Sequence, residues 1–166
     1  MALRPAPSRS AKFAFAAALA GLAAAGVKGR LTRFEIADSS MEPALAPGDY
    51  LVALAVRTVQ RGDIVIYRDP ADPSRELAKR AVGLAGETVA VSAGQVAIDG
   101  SVLAEPWADG PTLPDGTWTV PAETIFTLGD NRRASSGDGR SSGPVRVSGM
   151  YKAVWRYWPP GSFGRL

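Results

Sequence analysis

From Phe34 onward, β-forming and apolar residues recur with a period of two in short runs, and glycine, proline or aspartate closes most of them. This punctuation limits the chain more than any other feature, because many short runs of β-formers set off by Gly and Pro argue for strands. The spacing predicts strands at 34–37, 50–56, 63–68, 77–84, 88–92, 95–98, 117–120, 124–128 and 145–157. Pro47-Gly48-Asp49, Arg61-Gly62-Asp63 and Asp99-Gly100 mark turns between them, and 106–116, rich in Pro, Gly and Asp, reads as a surface loop. Arg61-Gly62-Asp63 introduces a strand, so it is read as a turn and not as an adhesion signal. The expected fold class is all-β and antiparallel, a sandwich or an irregular barrel.

Ahead of the strands lies a different kind of segment. Arg4, Arg9 and Lys12 precede an uncharged run over 13–27, after which Lys28, Arg30 and Arg33 restore charge. As a helix, fifteen residues span about 22 Å against a hydrocarbon core of ~30 Å, so a membrane span must borrow its flanks. The expected division is a cytosolic tail at 1–12, a transmembrane anchor at 13–30 and one β-rich domain at 31–166, in keeping with 166 residues. A cleaved secretory signal ending near Ala23-Ala24-Ala25-Gly26 is the alternative. The net charge of +3 and scattered arginines imply no nucleic-acid partner, while a lipid bilayer remains one.

Missing residues narrow the chemistry. The chain has no histidine and no cysteine, which excludes a Ser-His-Asp triad, a cysteine nucleophile and His- or Cys-ligated zinc. No metal and no cofactor is implied. A serine nucleophile then needs a lysine or a carboxylate as its base. Of four lysines, Lys12 and Lys28 flank the N-terminal run and Lys152 lies near the C-terminus, whereas Lys79 sits within Leu77-Ala78-Lys79-Arg80-Ala81-Val82. A free lysine is about 0.04% neutral at pH 7. Making it a base near neutrality means disfavouring its charged form by roughly 4 kcal/mol, which desolvation among apolar neighbours supplies. An edge-strand lysine pointing to solvent is the bland alternative. Arg80, on the opposite face of a regular strand, reads as an ion-pair partner.

Three segments in order, Ser40-Met41-Glu42-Pro43, then Lys79 through Gly86, then Gly129-Asp130-Asn131-Arg132 running to Asp138-Gly139-Arg140, resemble the type I signal peptidases, membrane-bound serine proteases with a Ser-Lys dyad. The resemblance covers about 34–145, with the hydrophobic run before it. It implies Ser40 as nucleophile, Lys79 as general base and an antiparallel β catalytic core behind an N-terminal transmembrane helix. It also implies a single-pass protein of the cytoplasmic membrane with the catalytic domain on the outer side, or of the mitochondrial inner membrane, where similarly short members work. The implied partners are preprotein signal peptides with small residues before the cleavage site. Such a peptide would lie extended between 34–37 and 77–79, with Ile36 and Ala78 near its pockets and Met41 lining them. Larger bacterial members insert a second β-domain between the lysine and Gly-Asp-Asn-Arg segments. The interval here is expected to hold hairpins alone.

The same resemblance implies a serine hydroxyl beside Lys79 and an Asp-x-Arg pair, Asp138 and Arg140, that ties down its loop by a bidentate contact. Counting back from Asp138 selects Ser136. The loop is one residue longer than the family pattern and Gly139 stands where serine is usual, so Ser135 is the alternative. Asp130 and Arg132 read as structural. For the oxyanion the resemblance implies the Ser40 backbone N–H, helped in some members by a hydroxyl two residues earlier, where this chain has Asp38. An inward carboxylate would repel the oxyanion, so Ser39 substitutes, or Asp38 turns away, or backbone donors act alone. Trp155, Tyr157, Trp158 and Phe163 include adjacent aromatics that cannot all face a core, and they are expected at a membrane interface. Two rival classes are a soluble Ser-Lys self-cleaving repressor-type protease, which would lack the 13–27 run, and a non-catalytic exported β-rich binding module.

Overall fold

The computed structural model describes residues 31–159 and 164–166. The expected tail at 1–12, the anchor at 13–30 and Phe163 lie outside the described residues. Among the described residues, no helix is long and apolar enough to cross a membrane.

The chain runs through β1 (Leu31–Glu35), β2 (Tyr50–Ala55), β3 (Ile64–Arg68), β4 (Glu76–Gly83), β5 (Thr88–Ser92), β6 (Gln95–Ile98), β7 (Ser101–Val102), β8 (Gly116–Thr119) and β9 (Thr124–Leu128). It then passes a single helical turn, α1 (Gly139–Ser142), before β10 (Val145–Arg146), β11 (Tyr151–Trp158) and β12 (Gly164–Arg165). The larger sheet has the order β1-β2-β11-β3-β4-β9-β10, with β12 on β11, and the smaller has the order β7-β6-β5-β8. The registered strand pairs are antiparallel. The all-β antiparallel class is therefore what the alternation predicts.

Strand β3 lies inside the molecule on both faces. Ile64 and Ile66 pack with Ile36, Met41, Leu45 and Leu51, while Val65 and Tyr67 pack with Leu77, Ala81 and Ile125. Its run Ile-Val-Ile-Tyr is continuous because neither face meets water.

Three expectations are corrected. The interval after Lys79 holds a four-stranded sheet and not just hairpins: tight turns at Ala93-Gly94 and Asp99-Gly100, each with both residues at positive φ, join β5, β6 and β7, and β8 returns to pair with β5. Val89, Val91 and Val96 of this sheet share a core with Val82, Phe126 and Leu128 of the larger one. The strand expected at 145–157 breaks at Ser148-Gly149, where Met150 N–H turns back to Val147 O at 3.1 Å, and its halves join different neighbours. The first strand ends at Glu35 because Ile36 pairs with the turn before β2, donating to Asp49 O at 2.9 Å and accepting from Gly48 N–H at 2.8 Å.

Candidate active site

Ser40 sits on a tight turn held from several sides. Met41 and Leu45 plug the turn into the core, Leu45 N–H donates to Met41 O at 2.9 Å, and Asn131 N–H donates to Ser40 O at 3.1 Å. From β11, Arg156 reaches Ala44 O at 3.1 Å and the Asp49 carboxylate at 3.0 Å. These contacts fix the backbone of a residue whose side chain faces β4.

From β4, Lys79 extends on the same face as Leu77 and Ala81, as period-two alternation requires, and its Nζ lies 2.6 Å from Ser40 Oγ. Lys79 is 2% exposed. Burial pushes its ammonium below the ordinary 10.5, against the nearby Asp38 and Asp138 carboxylates and with help from Arg140 and Arg75. The shift is toward the neutral amine, the direction that desolvation imposes on a buried lysine.

Next along the strand, Arg80 turns to the opposite side. Its Nε donates to Asp130 Oδ1 at 3.0 Å, a second nitrogen pairs with Asp130 Oδ2, and a third reaches Gly62 O at 2.8 Å. The guanidinium also lies 5.3 Å from the centre of the Trp107 ring. Arg132 grips Glu105 through two nitrogens, at 2.5 and 3.1 Å, and also bonds Gly129 O and Thr112. Asp130 and Arg132 thus serve two separate ion pairs. Glu105 and Thr112 were not singled out by sequence reasoning, because nothing local ties them to a loop more than 15 residues away.

The loop after β9 closes around Asp138. Its carboxylate accepts from Gly129 N–H at 3.1 Å, from Ser135 Oγ at 2.7 Å and from Arg140 through two nitrogens at 2.9 and 2.8 Å. Burial would raise this carboxyl, but Arg140, Ser135 and the Gly129 N–H hold it below its usual value. Arg140 further bonds the carbonyls of Leu113, Arg132 and Ser135. Ser136, selected by counting, is exposed, whereas Ser135 is buried, and the expectation for Ser136 is corrected accordingly. Two glycines permit this packing. A Cβ on Gly129 would come within 2.3 Å of Ser135 Oγ and 2.7 Å of Ser40 O, and one on Gly139 within 2.8 Å of both Phe126 and Thr127 O. A serine at 139 would therefore clash in this packing.

Asp38 does not turn away. Its Oδ1 accepts the Ser40 backbone N–H at 2.9 Å. Burial would raise its carboxyl, but hydrogen bonding from the Ser40 hydroxyl and backbone, with Lys79 and Arg75 nearby, keeps it below its usual value. Of the three expectations for the oxyanion position, none includes this inward carboxylate. A cleft of about 240 Å³ opens beside it, lined by Phe34, Ile36, Asp38, Met41, Ile66 and Ala78 among others. The cleft brings together Ile36, Met41 and Ala78. Toward it, β1 is an edge strand, and the first half of β4 pairs with β3 while β9 joins β4 only from Arg80 onward.

The sequence pattern of the family described as signal peptidase, peptidase S26, matches residues 9–158. The chain belongs to this family. It is 36% identical over 146 residues to the signal peptidase I of Leptolyngbya laminosa, covering 79% of this chain and 70% of that protein. It is 38% identical over 106 residues to a mitochondrial ATP-independent inner membrane protease subunit, 1a, of Arabidopsis thaliana, covering 63% of this chain and 54% of that protein. A crystal structure of a signal peptidase I from Enterococcus faecalis superposes with a TM-score of 0.52 at 29% identity, over 60% of this chain and 98% of that one. Membership of the S26 family makes the protein a serine endopeptidase, a hydrolase.

Proposed function

We propose that the protein is a membrane-bound peptidase that removes N-terminal signal peptides from exported preproteins, with Ser40 as nucleophile and Lys79 as general base. The observation that carries this reading is the 2.6 Å contact between a buried lysine and a serine hydroxyl. Neutral Lys79 takes the Ser40 proton as Oγ attacks the scissile carbonyl, then gives it to the departing amine. The same lysine next removes a proton from water, which attacks the acyl-enzyme and releases the signal peptide as a carboxylate. Asp138, Arg140 and Ser135 hold the wall behind Lys79, and Asp130 and Arg132 brace that wall.

The substrate lies extended between β1 and the first half of β4, adding main-chain hydrogen bonds to their open edges. Ile36 and Ala78 narrow the cleft so that small side chains before the cut are preferred. Residues 13–30 anchor the enzyme, residues 1–12 remain in the cytosol, and residues 31–166 work on the outer side of the cytoplasmic membrane; the plant mitochondrial relative leaves the mitochondrial inner membrane as the alternative location. The test is cleavage of a preprotein in liposomes by the full chain and by Ser40→Ala. Processing lost in the variant is expected, and processing retained by it contradicts the assignment.

A further inference from the structure

We infer that Asp38 covers the oxyanion site of the free enzyme with its own carboxylate and must swing out before Ser40 can be acylated. The inference rests on Ser40 being the nucleophile. A donor that stabilises a tetrahedral oxyanion stands 2.7–3.1 Å from where that oxygen will be. Asp38 Oδ1 is 2.9 Å from the Ser40 backbone nitrogen, so a carboxylate oxygen already sits where the substrate's oxygen must develop its charge. Two anions cannot accept from this one N–H at the same position, and their charges repel at such a distance. The arrangement is the one a cleaved peptide's own carboxylate would adopt, with Asp38 standing in for product.

The groups that face Asp38 decide whether it can leave. Lys79 of β4 and Arg75 just before it attract the carboxylate, and the Ser40 hydroxyl and N–H hold it by hydrogen bonds. Arg33 and Glu35 of β1 and Glu76 of β4 line the same cleft. Asp38 is itself exposed, so rotation of its side chain toward solvent meets no packed core. A peptide that fills the cleft and presents its carbonyl to Ser40 supplies the competing acceptor. Asp38 thus makes acylation depend on a well-seated substrate, and it helps to expel the product carboxylate.

Binding of a peptide boronic acid ending in an alanine analogue tests this without turnover. Ser40 oxygen adds to boron, the hydroxyl proton passes to Lys79, and a boron-bound oxygen takes the oxyanion position. Asp38→Ser should bind the boronate at least tenfold more tightly than the unaltered full chain, and Asp38→Asn, which keeps an acceptor but loses the charge, should fall between. Affinity for the same peptide ending in an unreactive amide should not change. The turnover number of Asp38→Ser on a peptide substrate should rise with KM nearly constant. Boronate affinity equal to or weaker than that of the unaltered chain in a folded Asp38→Ser, while Ser40→Ala abolishes boronate binding, would overturn the cover and leave the nucleophile standing. Undiminished boronate binding by Ser40→Ala would instead remove the nucleophile assignment and the inference with it.

Discussion

Lys79 and Arg80 are consecutive residues of β4, both buried, yet their surroundings have opposite effects. Arg80 meets a carboxylate bidentately, a backbone carbonyl and an aromatic face, so its charge stays compensated and the pair braces Asp130 against β4. Lys79 meets a neutral hydroxyl, and burial disfavours its charged form. Burial with a partner makes a brace, whereas burial without a carboxylate in direct contact disfavours the charged form. One strand supplies both because its side chains alternate between faces.

Chemistry separates the two faces most strongly. Lys79→Arg should lower preprotein cleavage by roughly 10⁴-fold or more, since guanidinium does not deprotonate and the loss of one dyad member removes the unit. Arg80→Lys should retain most of the activity in the same assay. Stability reverses the ranking. Arg80→Ala leaves Asp130 buried and unpaired, and chemical denaturation should register a loss of about 3–5 kcal/mol. Lys79→Met, inactive, should be more stable than the parent at pH 7, because it removes a buried amine whose charged form burial disfavours.

Titration gives that last difference a sign. Because the folded-state value of Lys79 is depressed below 10.5, the unfolded chain binds more protons between the two values, and stability contributed at this site rises with pH across that window. The advantage of Lys79→Met should therefore shrink as pH approaches 10.5. Asp138 behaves oppositely: its folded value is depressed from 3.8, so its contribution is complete above that value and fades as pH falls through the lower one. Acid unfolding followed by circular dichroism should lose this acid-side component in Asp138→Asn.

The smallest expected effect concerns the loop behind the base. Ser135→Ala removes a hydrogen bond to a buried carboxylate and should cost about 1.5–3 kcal/mol, while Ser136→Ala should stay within about 0.5 kcal/mol; thermal unfolding of the two variants distinguishes them.

Much of the fold is legible in the sequence. Alternation located the strands at 88–92, 95–98 and 124–128 to the residue, because those runs are bounded by turn residues that fix both ends. Elimination singled out Lys79 among four lysines and the family resemblance singled out Ser40, and the structure sets these two side chains 2.6 Å apart. What escaped depended on through-space packing. The Ser135/Ser136 choice turns on a loop one residue longer than the pattern, and counting cannot tell which hydroxyl folds inward. Glu105 pairs with Arg132 across 27 positions, a distance over which local pattern carries no information. Asp38 was flagged as a departure, but its direction was set by the Ser40 N–H, and a sequence does not reveal which acceptor a backbone donor finds.

As the proposed base, Lys79 must be held near neutrality by its burial beside Ser40. NMR titration of the Lys79 side chain, assigned by comparison with Lys79→Met, measures this directly in the folded protein. A titration well below 10.5, matched by the acid limb of kcat/KM for peptide cleavage, is the predicted result; a Lys79 that titrates at 10.5 while the enzyme cleaves at full rate near pH 7 would contradict it.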